Sequence, residues 1–109
     1  MRLAVALLLC TVGSAAAQGR HPCAADAVAK AMPLMKLHFD QAENLENAGI
    51  DEKVTVLPPI KALKGKGRFD VLEVWGHIYK ADYRMRFIYA QMKGCVLMGQ
   101  EILEASNPY

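Results

Sequence analysis

Three histidines, two cysteines of a candidate pair and a set of basic and acidic side chains are the groups with which this chain could do chemistry. His21, His38 and His77 could ligate a metal. A zinc site needs three or four convergent ligands, however, and these three are scattered without helix-ligand spacing. His21-Pro22-Cys23 sets imidazole beside thiol, which reads as a solvated histidine next to a disulfide. Met32, Met35, Met85, Met92 and Met98 carry the thioethers that suit Cu(I). At helical or strand spacing such residues fill gaps in a core. No metal or cofactor is therefore expected. The only serines, Ser14 and Ser106, lie near the two ends, so no nucleophile constellation forms. Glu73 or Glu101 with His77 could make a general acid–base pair on one strand face. With Arg84 and Arg86 nearby, the same residues read more simply as surface ion pairs. The expectation is a protein without catalytic activity.

Two patterns point to binding instead. Lys61, Lys64, Lys66 and Arg68 form a basic run that Arg84 and Arg86 extend. Such a run could meet an acidic partner, lipid headgroups or a polyanion. The formal net charge is only +2, which gives no overall nucleic-acid footprint, and none is expected as a partner. Trp75, Ile88, Ala90, Met92 and Leu97 share the sheet face opposite the expected core. An apolar patch with an aromatic residue and an arginine rim suggests a protein interface. The expected binding residues are Trp75, Ile88, Leu97, Arg84 and Arg86, with Lys64, Lys66 and Arg68 at the rim. The expected partner is another protein or a second copy. A different reading is a carrier enclosing a small apolar ligand between helix and sheet.

The elements that must position these residues are legible from periodicity. From Phe69 to Tyr79, Leu72, Val74, Gly76 and Ile78 alternate with Glu73, Trp75, His77 and Tyr79, the pattern of a strand with one buried face. From Tyr83 the bulky set moves to Tyr83, Met85, Phe87 and Tyr89. A four-residue loop centred on Ala81-Asp82 would pair Ile78 with Met85, Gly76 with Phe87 and Val74 with Tyr89. A second turn at Lys93-Gly94 would pair Tyr89 with Met98, Met85 with Ile102 and Arg86 with Glu101. The predicted core face is Leu72, Val74, Ile78, Met85, Phe87, Tyr89, Val96, Met98 and Ile102.

Upstream, Met1 to Ala17 reads as a signal peptide: a basic Arg2, an apolar run from Leu3 to Val12 and a small-residue site at Ala15-Ala16-Ala17. That run is too short for a span of about 20 residues, so no stable membrane anchor is expected once the leader is cleaved. Removal of 17 of the 109 residues leaves 92, enough for one small domain, residues 18–109. Export to periplasm or medium would place Cys23 and Cys95 in an oxidising compartment, where an even pair most simply forms a disulfide. Pro22 to Ala48 reads as helix, with Val28, Met32, Met35, Phe39 and Ala42 as its apolar stripe. Pro33 should kink or split it, and Gly49 with Ile50 should close it. Lys53 to Leu57 is β-prone and Pro58-Pro59 should stop it.

The resulting architecture is α+β: an N-terminal helix laid on an antiparallel meander of three or four strands. This order resembles the helix-then-sheet arrangement of cystatin-like folds at the level of topology, which implies no function. The register puts Cys95 on the outer face, whereas Cys23 begins a helix placed on the inner one. Three arrangements would reconcile them: a reach around the sheet end, a bulge at Gly94, or a helix on the other face.

Overall fold

The computed structural model describes residues 20–39 and 45–109 of the chain. The expected leader, residues 1–17, lies outside the described residues, as does Ala42 of the helical stripe. The fold is α+β: among the described residues, one helix packs on a five-stranded antiparallel sheet. Helix α1 runs Ala24–His38. Its alanines favour helix intrinsically. Asp26 in the first turn and Lys36 with His38 in the last complement the helix dipole. α1 passes through Pro33 as a single element, with that residue exposed. It ends ten residues before the predicted boundary. Ala48–Ile50 is instead a short strand, β1, in which Gly49 pairs with His77 rather than capping a helix. Sheet pairing outweighs local helix preference here, because Ala48 and Ile50 alternate about Gly49 and pack against the core.

The other strands are β2 Thr55–Lys61, β3 Arg68–Ile78, β4 Ala81–Ala90 and β5 Leu97–Glu104. β3 is central. β4 lies along one side of it, with β5 beyond, while β1 and β2 share its other side at opposite ends. β2 continues through Pro58-Pro59 instead of stopping there, with a register irregularity between Leu57 and Ile60. Proline is tolerated because β2 is an edge strand whose outer backbone donors have no ladder to join.

The β3–β4 turn is shorter than expected. Ile78 pairs with Ala81, Val74 with Met85 and Leu72 with Phe87, so the loop is Tyr79-Lys80 and Asp82 belongs to the strand. Tyr79 supplies the positive φ of +56° at the first turn position. The slip from the expected register is four residues. An even slip keeps every side chain on its face, so the assignment of inner and outer residues survives the wrong loop.

Between β4 and β5 the expected pairs Met85–Ile102 and Arg86–Glu101 form, but Tyr89 meets Leu97, not Met98. Gly99 pairs with Ile88, which makes Met98 the extra residue of a β-bulge. Met98 and Val96, predicted in the core, are exposed, while Leu97 packs against it. The same parity change resolves the cysteine conflict. Cys95 turns to the helix side and forms the disulfide with Cys23, 72 residues away. Closing a loop of that length stabilises by roughly 4 kcal/mol in the chain-entropy model.

The core lies between α1 and the inner sheet face. Ala27, Ala31, Leu34 and Met35 meet Leu72, Val74, Met85, Phe87 and Tyr89. The two alanines let the helix approach closely. Gly76 gives room for Met35, whose Sδ lies 2.5 Å from where a Cβ would stand. Polar ties fix the helix N-terminal end. The Tyr89 hydroxyl donates to Asp26 Oδ2 at 2.7 Å, and Lys30 donates to the same carboxylate. His21 Nδ1 accepts the Cys23 N–H, so its Nε2–H donates to Asp70 at 2.8 Å.

Candidate binding face

One sheet face is closed by α1, which leaves the opposite face with its organised side chains not covered by the helix. Strand alternation builds it in rows across the sheet. Phe69 aligns with Ile60 and Ala90, then Val71 with Leu57 and Ile88. Glu73 follows between Thr55 and Arg86, with Glu101 beyond. Trp75 pairs with Arg84, which pairs with Leu103. His77 pairs with Asp82 at the turn end.

Glu73 organises the middle of this face. Its carboxylate accepts from Arg86 Nε at 2.9 Å and from Trp75 Nε1 at 3.3 Å, with Arg84 Nε 3.9 Å away. Arg84 reaches Glu101 at 3.7 Å on its other side. The Glu73 side chain is only 13% exposed, so its hydrogen bonds fix Arg86 and the indole more firmly than surface ion pairs do, whereas Arg84 makes only the longer ion pairs and its buried Nε has no hydrogen-bond partner among the described residues. Two carboxylates and two guanidiniums cancel, which leaves a neutral, pre-ordered patch.

Apolar side chains flank that patch. Trp75 and Ile88 are half-buried, Val71 is buried between Leu57 and Ile88, and Leu103 is 55% exposed. Of the sequence-based site residues, Trp75, Ile88, Arg84 and Arg86 come together here. Leu97 does not, because the Met98 bulge turns it to the helix side. Lys64, Lys66 and Arg68 do not either. They belong to the β2–β3 hairpin end, and Arg68 stands seven residues from Trp75 along β3, about 23 Å. Val71, Leu57 and Leu103 were missed by the sequence reading. Val71 shares the odd parity of Trp75 in the strand, which was the available signal.

Glu73 and His77 lie four residues apart on one strand, about 13 Å, with Trp75 between them. That is too far for proton exchange without an intermediary. His77 instead pairs through Nδ1 with Asp82 at 2.7 Å and through Nε2 with Asp51 at 3.4 Å. The Asp82 hydrogen bond raises its pKa above the ordinary 6.5, against a smaller opposing effect of burial. The aspartates sit on opposite ring nitrogens and so do not converge. No group of three His, Cys, Asp or Glu among the described residues could hold a metal. The methionines divide likewise: Met35 and Met85 are core, while Met92 and Met98 are exposed.

A separate cleft of about 480 Å³ opens at the far end of α1, where Phe39 and Leu45 face Ile78, Ala81 and Tyr83. The interval between helix and sheet itself is filled by fully buried Tyr89, Phe87, Met35, Leu72, Met85 and Val74. No helix among the described residues is long and apolar enough to cross a membrane. The chain matches no protein-family model, and no curated protein or solved structure gives a significant match.

Proposed function

We propose that this protein is a small exported binding domain, without catalytic activity, that seats a protein partner on the sheet face around Trp75. The observation that supports this most is the construction of that face. Trp75 and Arg86 are hydrogen-bonded to Glu73, with Arg84 alongside at ion-pair distance, beside apolar Val71, Ile88 and Leu103. Interface cores favour aromatic residues and arginine, and side chains already ordered lose less entropy when a partner docks. The Cys23–Cys95 disulfide fits a protein that works in an oxidising compartment. The carrier reading has less support, since the helix–sheet interval is filled with side chains.

The test is native mass spectrometry of the protein recovered from an exporting host, compared with Trp75→Asp and Ile88→Asp. Wild type is expected to carry a partner or a second copy that both variants lose while keeping the disulfide and the helix signal. Retention of the same complex by folded variants would remove this face from consideration.

A further inference from the structure

The β2–β3 hairpin end carries a dense run of basic residues that lies apart from the Trp75 face. Residues 53–69 contain no aspartate or glutamate. Lys61, Lys64, Lys66 and Arg68 stand within eight positions, all exposed. None of the four has an ion pair or a side-chain hydrogen bond among the described residues. Lys61 and Arg68 are moreover direct cross-strand partners. Like charges placed opposite each other in a ladder repel and destabilise it. The hairpin keeps this arrangement although neither residue forms an ion pair among the described residues.

Among these cations stands Leu63, fully exposed at 100%, near the loop tip. The loop is defined: Ala62 N–H donates to Gly67 O at 2.9 Å, and Gly65 takes a φ of +78°. On the adjoining strand, Ile60 and Val56 are also exposed, at 43% and 48%. A lone exposed leucine is ordinary by itself; its place among four unpaired cations gives the loop two features at once. A phospholipid surface uses both features, because headgroup phosphates pair with the cations while an apolar tip enters the acyl boundary.

We propose that the hairpin 60–68 is a peripheral docking site for an anionic phospholipid surface, with Leu63 as the inserting residue and Lys61, Lys64, Lys66 and Arg68 as the phosphate contacts. The bare leucine favours lipid over a soluble polyanion, which would offer it no apolar environment. The site lies at the opposite end of β3 from His77 and leaves the Trp75 face open while the protein is docked.

Co-sedimentation with vesicles tests this, using wild type and variants that share one N-terminus. Equimolar phosphatidylglycerol and phosphatidylcholine vesicles are compared with pure phosphatidylcholine, with polyphosphate as a soluble polyanion. Wild type should bind the anionic vesicles and be released by salt. Lys64→Gln with Lys66→Gln should weaken binding about five-fold per lysine. Leu63→Ser, which leaves the charge unchanged, should weaken it about ten-fold or more while leaving the melting temperature unchanged. Equal binding to both vesicle types would overturn the proposal. So would loss with the lysine variants but not with Leu63→Ser, which, with polyphosphate bound alike by wild type and Leu63→Ser, would assign the hairpin to a polyanion.

Discussion

Gly76 shows how much of this fold turns on single atoms. It sits mid-strand in β3, where glycine lacks a side chain to pack and costs backbone entropy. An added Cβ would stand 2.5 Å from Met35 Sδ, 3.0 Å from Met85 Cε and 3.1 Å from Ile50 Cδ1. Three elements thus converge on the missing atom. Met35 and Met85 are fully buried, so their flexible ends have little free volume to enter. Gly76→Ala is expected to lower unfolding free energy by about 1–3 kcal/mol in urea titrations. In a double-mutant cycle with Met35→Ala the loss should be smaller than the sum of the parts. Additive losses would mean that the two residues do not share this space. The requirement was not legible in the sequence. The alternation placed Gly76 on the core face, but the assumed register set it against Phe87, whereas it lies opposite Tyr83 and beneath the helix.

Helix α1 is held to the sheet at its N-terminal end by two carboxylates as well as by the disulfide. Hydrogen bonds from Lys30 and then Tyr89 hold the Asp26 carboxyl below its ordinary pKa. His21 first, then Gln91, does the same for Asp70. Burial and the nearby Asp26 carboxylate in turn push the Tyr89 hydroxyl upward. Acids with depressed folded pKa values contribute stability that is present above their ordinary pKa, near 3.8, and lost as pH falls through the folded values. Urea midpoints should therefore fall between neutral pH and about pH 2. Tyr89→Phe should lower stability at neutral pH by about 1.5–3 kcal/mol, since it removes a buried hydrogen bond to a charged group. It should also flatten the acid dependence. An unchanged acid slope would show that Asp26 is not a principal link. His77 works in the opposite sense: its raised pKa means that its pairing with Asp82 and Asp51 is fully present below pH 6.5 and weakens above its folded value. None of these ties was readable from spacing, because Asp26 and Tyr89 are 63 residues apart.

At the scale of the whole molecule, the α+β class and the two sheet faces were legible because period-two alternation survives an even register slip. The Met98 bulge was not, since one extra residue leaves no mark in an apolar run, yet it decides which side Leu97 and Cys95 take. β1 escaped notice because three residues after an alanine-rich stretch carry too little periodicity to outweigh a helix reading. Of the expected binding residues, the central ones share one sheet face and the outlying ones do not. Trp75, Arg84, Arg86 and Ile88 are drawn from two adjacent strands, whereas Lys64, Lys66 and Arg68 were joined to them only by closeness in sequence. What results is a sheet with a sealed helix side, a neutral aromatic face and a basic hairpin at one end. The function proposed for this molecule turns on whether the Trp75 face receives a protein. Photo-crosslinking in the native host would test it most directly, with the photoreactive residue at Leu103 on that face or at Leu37 on the helix, both well exposed at 55% and 60%. One discrete cross-linked species is expected from position 103 and none from position 37. No cross-link at 103, or the same species from both positions, would contradict the proposed function.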